Sequence, residues 1–466
     1  MRPLRLLVLL ATGAVALSSV AYAQGEAPVR VRLFGAASPG DVSVRGPATV
    51  TVDGRAVGRL APGATAQIAR RGAGVRIGGA GVDAEGQTVE FAPDEPAGRL
   101  HVRGGRAAVD VTGRIVALGV GSQLVVVNHV PMADYVASVV ASEYGFSEIE
   151  GVKAQAVLAR TYAARSAAPR RPYDLDDDQR SQVYRGAGVV TPTSARGEAE
   201  TRGQILTYRG APAEAVYSSS SGGHTADNEA VWGTAPVPYL RGVPDPYDAG
   251  APDHAWRTTA DAARVHGALS RRYGGQVSGV FVTESTREGR AVRVRLVGAR
   301  QETVSGSDFR TVVNGSLGWR TVRSTKFRVS LQGGQYVFEG GGFGHGVGMS
   351  QYGARGQARA GRSYVDILAF YFQGTEVRGG SPAYASGWPP SAGGSSPSPR
   401  AVPAAPPPAP SAPAPPRRGR GEAFVVRDPA APVATAPPAA PAAPAAAPSA
   451  DGRRWPTPRT PARAGW

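Results

Sequence analysis

The chain has 466 residues, a formal charge of +16 and no cysteine, which excludes disulfides, a thiol nucleophile and a thiolate metal site. Almost all of its positive charge is arginine, without the basic and aromatic interleaving of nucleic-acid modules, so nucleic acid is not an expected partner and an anionic polymer is a better one.

Arg2 and Arg5 precede an apolar run from Leu6 to about Leu17, and Ala21-Tyr22-Ala23 supplies an A-x-A pattern before Gln24. This is the layout of a cleavable secretory signal over residues 1–23. The run is too short for a transmembrane span and no later segment is apolar enough for one, so an exported chain beginning at Gln24, with no span after cleavage, is expected. Residues 24–120 contain short alternating runs, Val29–Leu33, Thr49–Val52 and Leu100–Val102, split by Gly and Pro, which predict β-hairpins.

Ala133–Arg165 reads as two helices broken at Gly145, a good residue just past a helix end. Glu143 closes the first helix. Val140, Val139 and Val136 precede it by three, four and seven positions and share its face. A carboxylate on an apolar face, beside the partly negative carbonyls of a helix end, is pushed toward its protonated form. That suits a general acid; the residues alone equally allow a helix-end glutamate paired with Lys153 or Arg160. Ser147 and Glu150 have the S-x-x-E spacing of a capping box for the second helix. On that helix Lys153 and Arg160, seven apart, share a face and read as solvated charges or as substrate contacts; Gln155 and Tyr162 lie nearby.

Tyr217–Trp232, YSSSSGGHTADNEAVW, gathers hydroxyls including Ser220 and Ser221 with His224, a set of hydrogen-bond donors and acceptors that suits a polar ligand. Asp227 and Glu229 are the nearest candidates for the second carboxylate a hydrolase would use. In Gly341–Gly361, GGFGHGVGMSQYGARGQARAG, glycines surround His345, Ser350, Gln351 and Tyr352. They read either as backbone shaped to approach a ligand or as a turn into a helix from about Ala354. His345, with no apolar flank, is expected to hydrogen-bond in a cleft. A Ser350–His345 hydrolase is disfavoured because no G-x-S-x-G elbow or orienting acid is present. From Gly379 to Trp466 the Pro/Ala-rich composition predicts a disordered, extended tail.

Four of these motifs, in order, resemble the sporulation stage II protein D family, also called the SpoIID/LytB domain. Tyr135–Glu143 with Lys153–Tyr162 is similar to its Y-L-x-x-V-V-x-x-E and K-A-Q-A-V-x-A-R-T-Y, and Gln182–Gly186 to Q-V-Y-x-G. Ser220–Gly233, continuing through Pro238–Leu240 and Val243–Asp248, and Gly342–Ala358 supply the other two. The resemblance implies an α+β protein: a β-rich N-terminal region over 24–120, a mixed α/β domain with a substrate cleft over 121–378, and the tail.

It further implies a peptidoglycan lytic transglycosylase with Glu143 at the catalytic position and glycan strands as substrate, contacted by Lys153, Arg160, Ser220, Ser221, His224, His345, Ser350, Gln351 and Tyr352. The N-acetylmuramoyl C6 hydroxyl would attack C1 and leave a 1,6-anhydro end, so one carboxylate and no cofactor suffice. Some relatives bind zinc through His and Cys, but Ser221 stands in that neighbourhood here, and His224 and His345 alone are a poor metal set. No metal is therefore expected. The other implied role, in the periplasm or cell envelope, is a non-catalytic wall-binding enhancer of a cell-wall amidase.

Overall fold

The computed structural model describes residues 27–35 and 40–379; the expected signal segment, and all of the expected tail except Gly379, lie outside them. The fold is α+β with a β-rich N-terminal region. Two sheets dominate that region. One runs in the order Leu175–Asp176, Val29–Leu33, Gln123–Val130, Arg114–Val120, Thr88–Pro93, Ala48–Val52, Arg55–Leu60, and the other Ala107–Val111, Leu100–Gly104, Asp41–Arg45, Thr65–Arg71, Gly74–Gly79, Val82–Gly86. Strand alternation sets the faces: Val42 and Val44 are buried, Ser43 between them is half-buried, and Asp41 and Arg45 on either side are exposed. Gln123–Val130 breaks the alternation because it is covered on both faces, and its LVVVN run is buried throughout. The β-rich region thus continues past residue 120, and its strands share one core with the helices that follow.

Helix α1 (Met132–Glu143) sinks Tyr135, Val136, Val139 and Val140 into this core and stops at Tyr144, after which Gly145 takes φ 57°. Few residues other than glycine adopt that left-handed conformation cheaply. Helix α2 (Ile149–Ser166) is buried on most of its circumference, with α3 (Pro192–Glu200) packed beside it. The expected capping box does not form. Glu148 is the N-cap and no side chain caps the helix; Glu150 instead pairs with Lys153 at 2.7 Å and accepts from the Tyr364 backbone N–H at 2.8 Å. Tertiary partners outcompete the local motif here.

A second hydrophobic core, not anticipated from the motifs, forms between Trp256 and Phe338. It packs α5 (Ala262–Tyr273) and α6 (Gly306–Leu317) against two three-stranded sheets, with Phe309, Phe327 and Phe338 in ring contact. A short α4 (Asn228–Trp232) precedes it, and α7 (Gln351–Arg359) and α8 (Tyr364–Tyr371) follow it and return to pack on α2. Helix α7 begins three residues before the expected Ala354, because the Ser350 side chain accepts from the Gly353 N–H and caps the first turn. Among the described residues no helix is long and apolar enough to cross a membrane.

Arg160 is fully buried on α2. Its guanidinium reaches Glu198 of α3 at 3.1 Å and donates to the Thr201 and Gln204 carbonyls. Removing one partner of a buried ion pair costs about 3–5 kcal/mol, and although Glu198 keeps the exposed Arg202 at 3.0 Å, loss of Arg160 also leaves the Thr201 and Gln204 carbonyls without this donor. Arg160→Leu should therefore lower the unfolding free energy by about 3 kcal/mol in urea titration. An unchanged midpoint would show that the pair does not hold α2 to α3.

Candidate functional site

A cleft of about 510 Å³ is walled by segments far apart in sequence: Glu143 at the end of α1, Tyr162 of α2, Gln182 and Val183, Tyr217 to Ser219, Phe343 to His345, and Gln351. Among the described residues Glu143 is the single acidic residue lining it. The valine face of α1 lies in the core and carries this carboxyl to the cleft wall, where Oε1 accepts from the Val183 N–H at 2.8 Å. Burial raises the Glu143 pKa; the Val183 hydrogen bond and the charge of Arg185 pull it down without cancelling that rise. Gln351 Nε2 donates to the Glu143 backbone carbonyl at 3.1 Å and so ties α7 to the end of α1. Behind the carboxylate, Tyr135 donates to Gln182 Oε1 at 3.0 Å and Gln182 Nε2 donates to the Tyr217 hydroxyl at 3.1 Å, which fixes the cleft-lining phenol.

The residues expected to contact substrate divide. His345 and Gln351 line the cleft. His345 Nδ1 accepts from the Val347 N–H at 3.1 Å and the imidazole also bonds the Tyr217 backbone. Burial drives its pKa down to about 4, so it is neutral near pH 7. Lys153 pairs with Glu150 and Glu200, and Arg160 is in the core; neither reaches the cleft. Ser220, Ser221 and Ser350 are buried beneath it. His224 places Nδ1 2.7 Å from the Thr225 carbonyl, and Tyr352 packs its ring edge against Phe146 at 4.9 Å. Asp227 and Glu229 face Arg241 and stand outside the cleft wall.

What the buried serines contact explains the loop. Asp248, fully buried, accepts from the Ser220 hydroxyl at 2.8 Å, the Ser350 hydroxyl at 2.8 Å and the backbone N–H groups of Ser221 and Gly222 at 3.0 Å each. His254 Nδ1 lies 3.1 Å from the same carboxylate. Asp245, also fully buried, accepts from the Ser221 hydroxyl and from Tyr371 of α8. The glycines serve the same packing. Gly344, Gly346 and Gly348 have φ of 100°, 78° and 70°, and a Cβ there would collide with Ser218, the Arg290 guanidinium and the Val216 carbonyl. The close approach is to the protein's own loop rather than to a ligand. Among the described residues no three His, Asp or Glu side chains group so as to hold a metal ion, and the Ser221 hydroxyl donates to Asp245.

Comparison with known proteins bears on the same segments. The family model described as stage II sporulation protein matches residues 120–208. Stage II sporulation protein D of Bacillus subtilis (strain 168) is 34% identical over 269 residues, 54% of this chain and 75% of that protein. The chain belongs to the stage II sporulation protein D family. The counterpart from Bacillus amyloliquefaciens is equally similar, at 34% over 269 residues. The amidase enhancer of Bacillus subtilis is 29% identical over 282 residues, 49% of this chain but 38% of that longer protein. In this family member the span matched by the model contains Glu143, Tyr162, Gln182 and Val183, whereas Phe343, His345 and Gln351 come from beyond it.

Among the residues that sequence reasoning passed over, Asp245 and Asp248 lay inside a quoted motif with no role assigned. The local sequence, VPDPYDAGAPDHAW, carries no signal that these two aspartates are buried, because their partners are the serines of a loop more than twenty residues earlier. Burial first, and then the Asp248 charge, raises Asp245 to about 6 from its ordinary 3.8. Its contribution to stability is therefore full below the ordinary carboxylate pKa and is lost as pH rises through about 6. Asp245→Asn should flatten the decline in thermal midpoint between about pH 4 and pH 7 relative to the unaltered protein. Identical profiles would show that Asp245 ionises in the fold as it does in water.

Proposed function

We propose that this protein is a peptidoglycan lytic transglycosylase acting outside the cytoplasm, in the cell envelope, with Glu143 as its acid and base. One observation carries the reading: the cleft has a single lining carboxyl group among the described residues, and burial favours its protonated form. A hydrolase of the usual kind needs two carboxylates across the bond. Intramolecular transfer needs one. The Glu143 carboxyl gives its proton to the O4 leaving oxygen of N-acetylglucosamine as the bond to C1 of N-acetylmuramic acid breaks. The C6 hydroxyl of the same muramoyl residue then bonds to C1 and returns its proton to the carboxylate. The products are a free O4 hydroxyl and a 1,6-anhydro ring, no water is consumed, and Glu143 ends as it began. The Val183 N–H steadies the carboxylate in between, and Gln351 holds the helix end that presents it.

The likeness to the amidase enhancer favours a second reading, in which the same cleft binds wall glycan and recruits a cell-wall amidase without cleaving. The two separate by product. Wild-type protein incubated with peptidoglycan should release fragments ending in 1,6-anhydro-N-acetylmuramic acid, detected by mass spectrometry. Glu143→Gln should still fold and bind glycan while cleavage falls by about 10²–10⁴-fold. No anhydro ends from the wild type would replace the enzyme reading with the binding one, and equal cleavage by the variant would remove Glu143 from the acid–base role.

A further inference from the structure

We propose that Trp319, with Phe343 and Arg320, forms a sugar-binding platform at the rim of the cleft, holding a hexosamine ring of the glycan strand outside the reacting pair. The proposal rests on the transglycosylase reading and extends it to substrate length. Trp319 lies outside all four family-like motifs, in the turn after α6, where Gly318 has φ 116°. It leaves 40% of its surface exposed although it stands beside a core rich in aromatics. Its ring meets Phe343 edge to face, with centroids 5.3 Å apart and planes at 85°, and Phe343 is itself part of the cleft wall. The indole thus packs directly on a residue of the cleft wall.

Arg320 completes the arrangement. Its guanidinium sits 5.2 Å from the Trp319 centroid and 5.6 Å from that of Phe343, and Asp253 anchors it through Nη2 at 2.9 Å. The side chain remains 48% exposed. The turn is fixed to the cleft wall as well, because the Gly344 N–H donates to the Arg323 carbonyl at 3.0 Å. The platform is therefore held in place before ligand arrives, which lowers the ordering cost of binding.

The chemistry fits a pyranose. One face of a hexosamine ring presents C–H bonds, which carry slight positive charge and are apolar, and the face of an indole is electron-rich and apolar. Arg320 lies over one face of the indole, which leaves the opposite face for the sugar, and its exposed guanidinium offers charged donors to the acetamido and carboxylate oxygens that project from the ring edge. A second exposed indole repeats the pattern: Trp232, 38% exposed, lies 5.5 Å from His345, the other aromatic ring that the Phe343–His345 stretch contributes to the wall. Strands long enough to reach Trp319 gain a stacking contact that a disaccharide cannot make.

The test uses the full chain carrying Glu143→Gln, so that bound glycan is not consumed. Calorimetry with purified peptide-free glycan strands and with the N-acetylglucosamine–N-acetylmuramic acid disaccharide reads the two ligand lengths. Adding Trp319→Ala should weaken strand binding about tenfold, as loss of an aromatic anchor does, and leave the disaccharide unaffected. Trp319→Phe, which keeps a ring and protects the fold, should reduce a strand-induced shift in tryptophan emission, leaving the part that Trp232 contributes. Strand affinity unchanged in Trp319→Ala, or an emission shift unchanged in Trp319→Phe, overturns the platform alone. No binding of either ligand by the Glu143→Gln parent overturns the glycan-cleaving reading with it.

Discussion

The Asp248 carboxylate is the contact on which the site depends. A buried ion is tolerable only when its oxygens are saturated by donors, and here the donors come from segments more than a hundred residues apart: the Ser220–Gly222 loop, His254 and the N-cap of α7. Each hydrogen bond is thereby also a positional constraint. Because Ser350 binds Asp248 while capping α7, the helix starts where Gln351 can reach the end of α1, and the placement of Glu143 becomes coupled to a carboxylate that never enters the cleft. Asp245 adds a second buried carboxyl beside the first and ties α8 to the same knot through Tyr371. The repulsion between the two is eased by the raised pKa of Asp245.

Two opposing effects set the character of Glu143. Taking the carboxyl out of water disfavours its charge, and one backbone N–H restores part of what water gave. Asp248 shows the other limit, where five donors surround a carboxylate that is completely buried. Both lie in one half of the molecule, and neither environment is visible from the residue type.

Much of the architecture was legible because it rests on local patterns. Val136, Val139 and Val140 place Glu143 at the edge of a buried stripe by helical period alone, and Gly145 ends that helix for a steric reason that needs no neighbour. The alternation in Val29–Leu33 and Asp41–Arg45 likewise states which face is buried. Where local rules failed, a distant partner had intervened. Glu150 left its capping position for Lys153 and the Tyr364 N–H, and Arg160, expected to face substrate, found Glu198 across a helix interface. The glycine-rich segment allowed either a ligand approach or a turn into a helix, and at Gly344, Gly346 and Gly348 the neighbours its missing side chains admit are Ser218, Arg290 and Val216.

By itself the sequence determined the family, the α+β class and the one carboxylate on a valine face, since motif order and hydrophobic period are properties of the chain. Only the tertiary structure decided which hydroxyls face the cleft and which sit under it. Ser218 and Ser219 line the wall while Ser220 and Ser221, next in the chain, turn inward to two aspartates. Four consecutive serines carry no information about that choice; it depends on Asp245 and Asp248, more than twenty residues on, and on whether each oxygen meets a buried charge or open solvent.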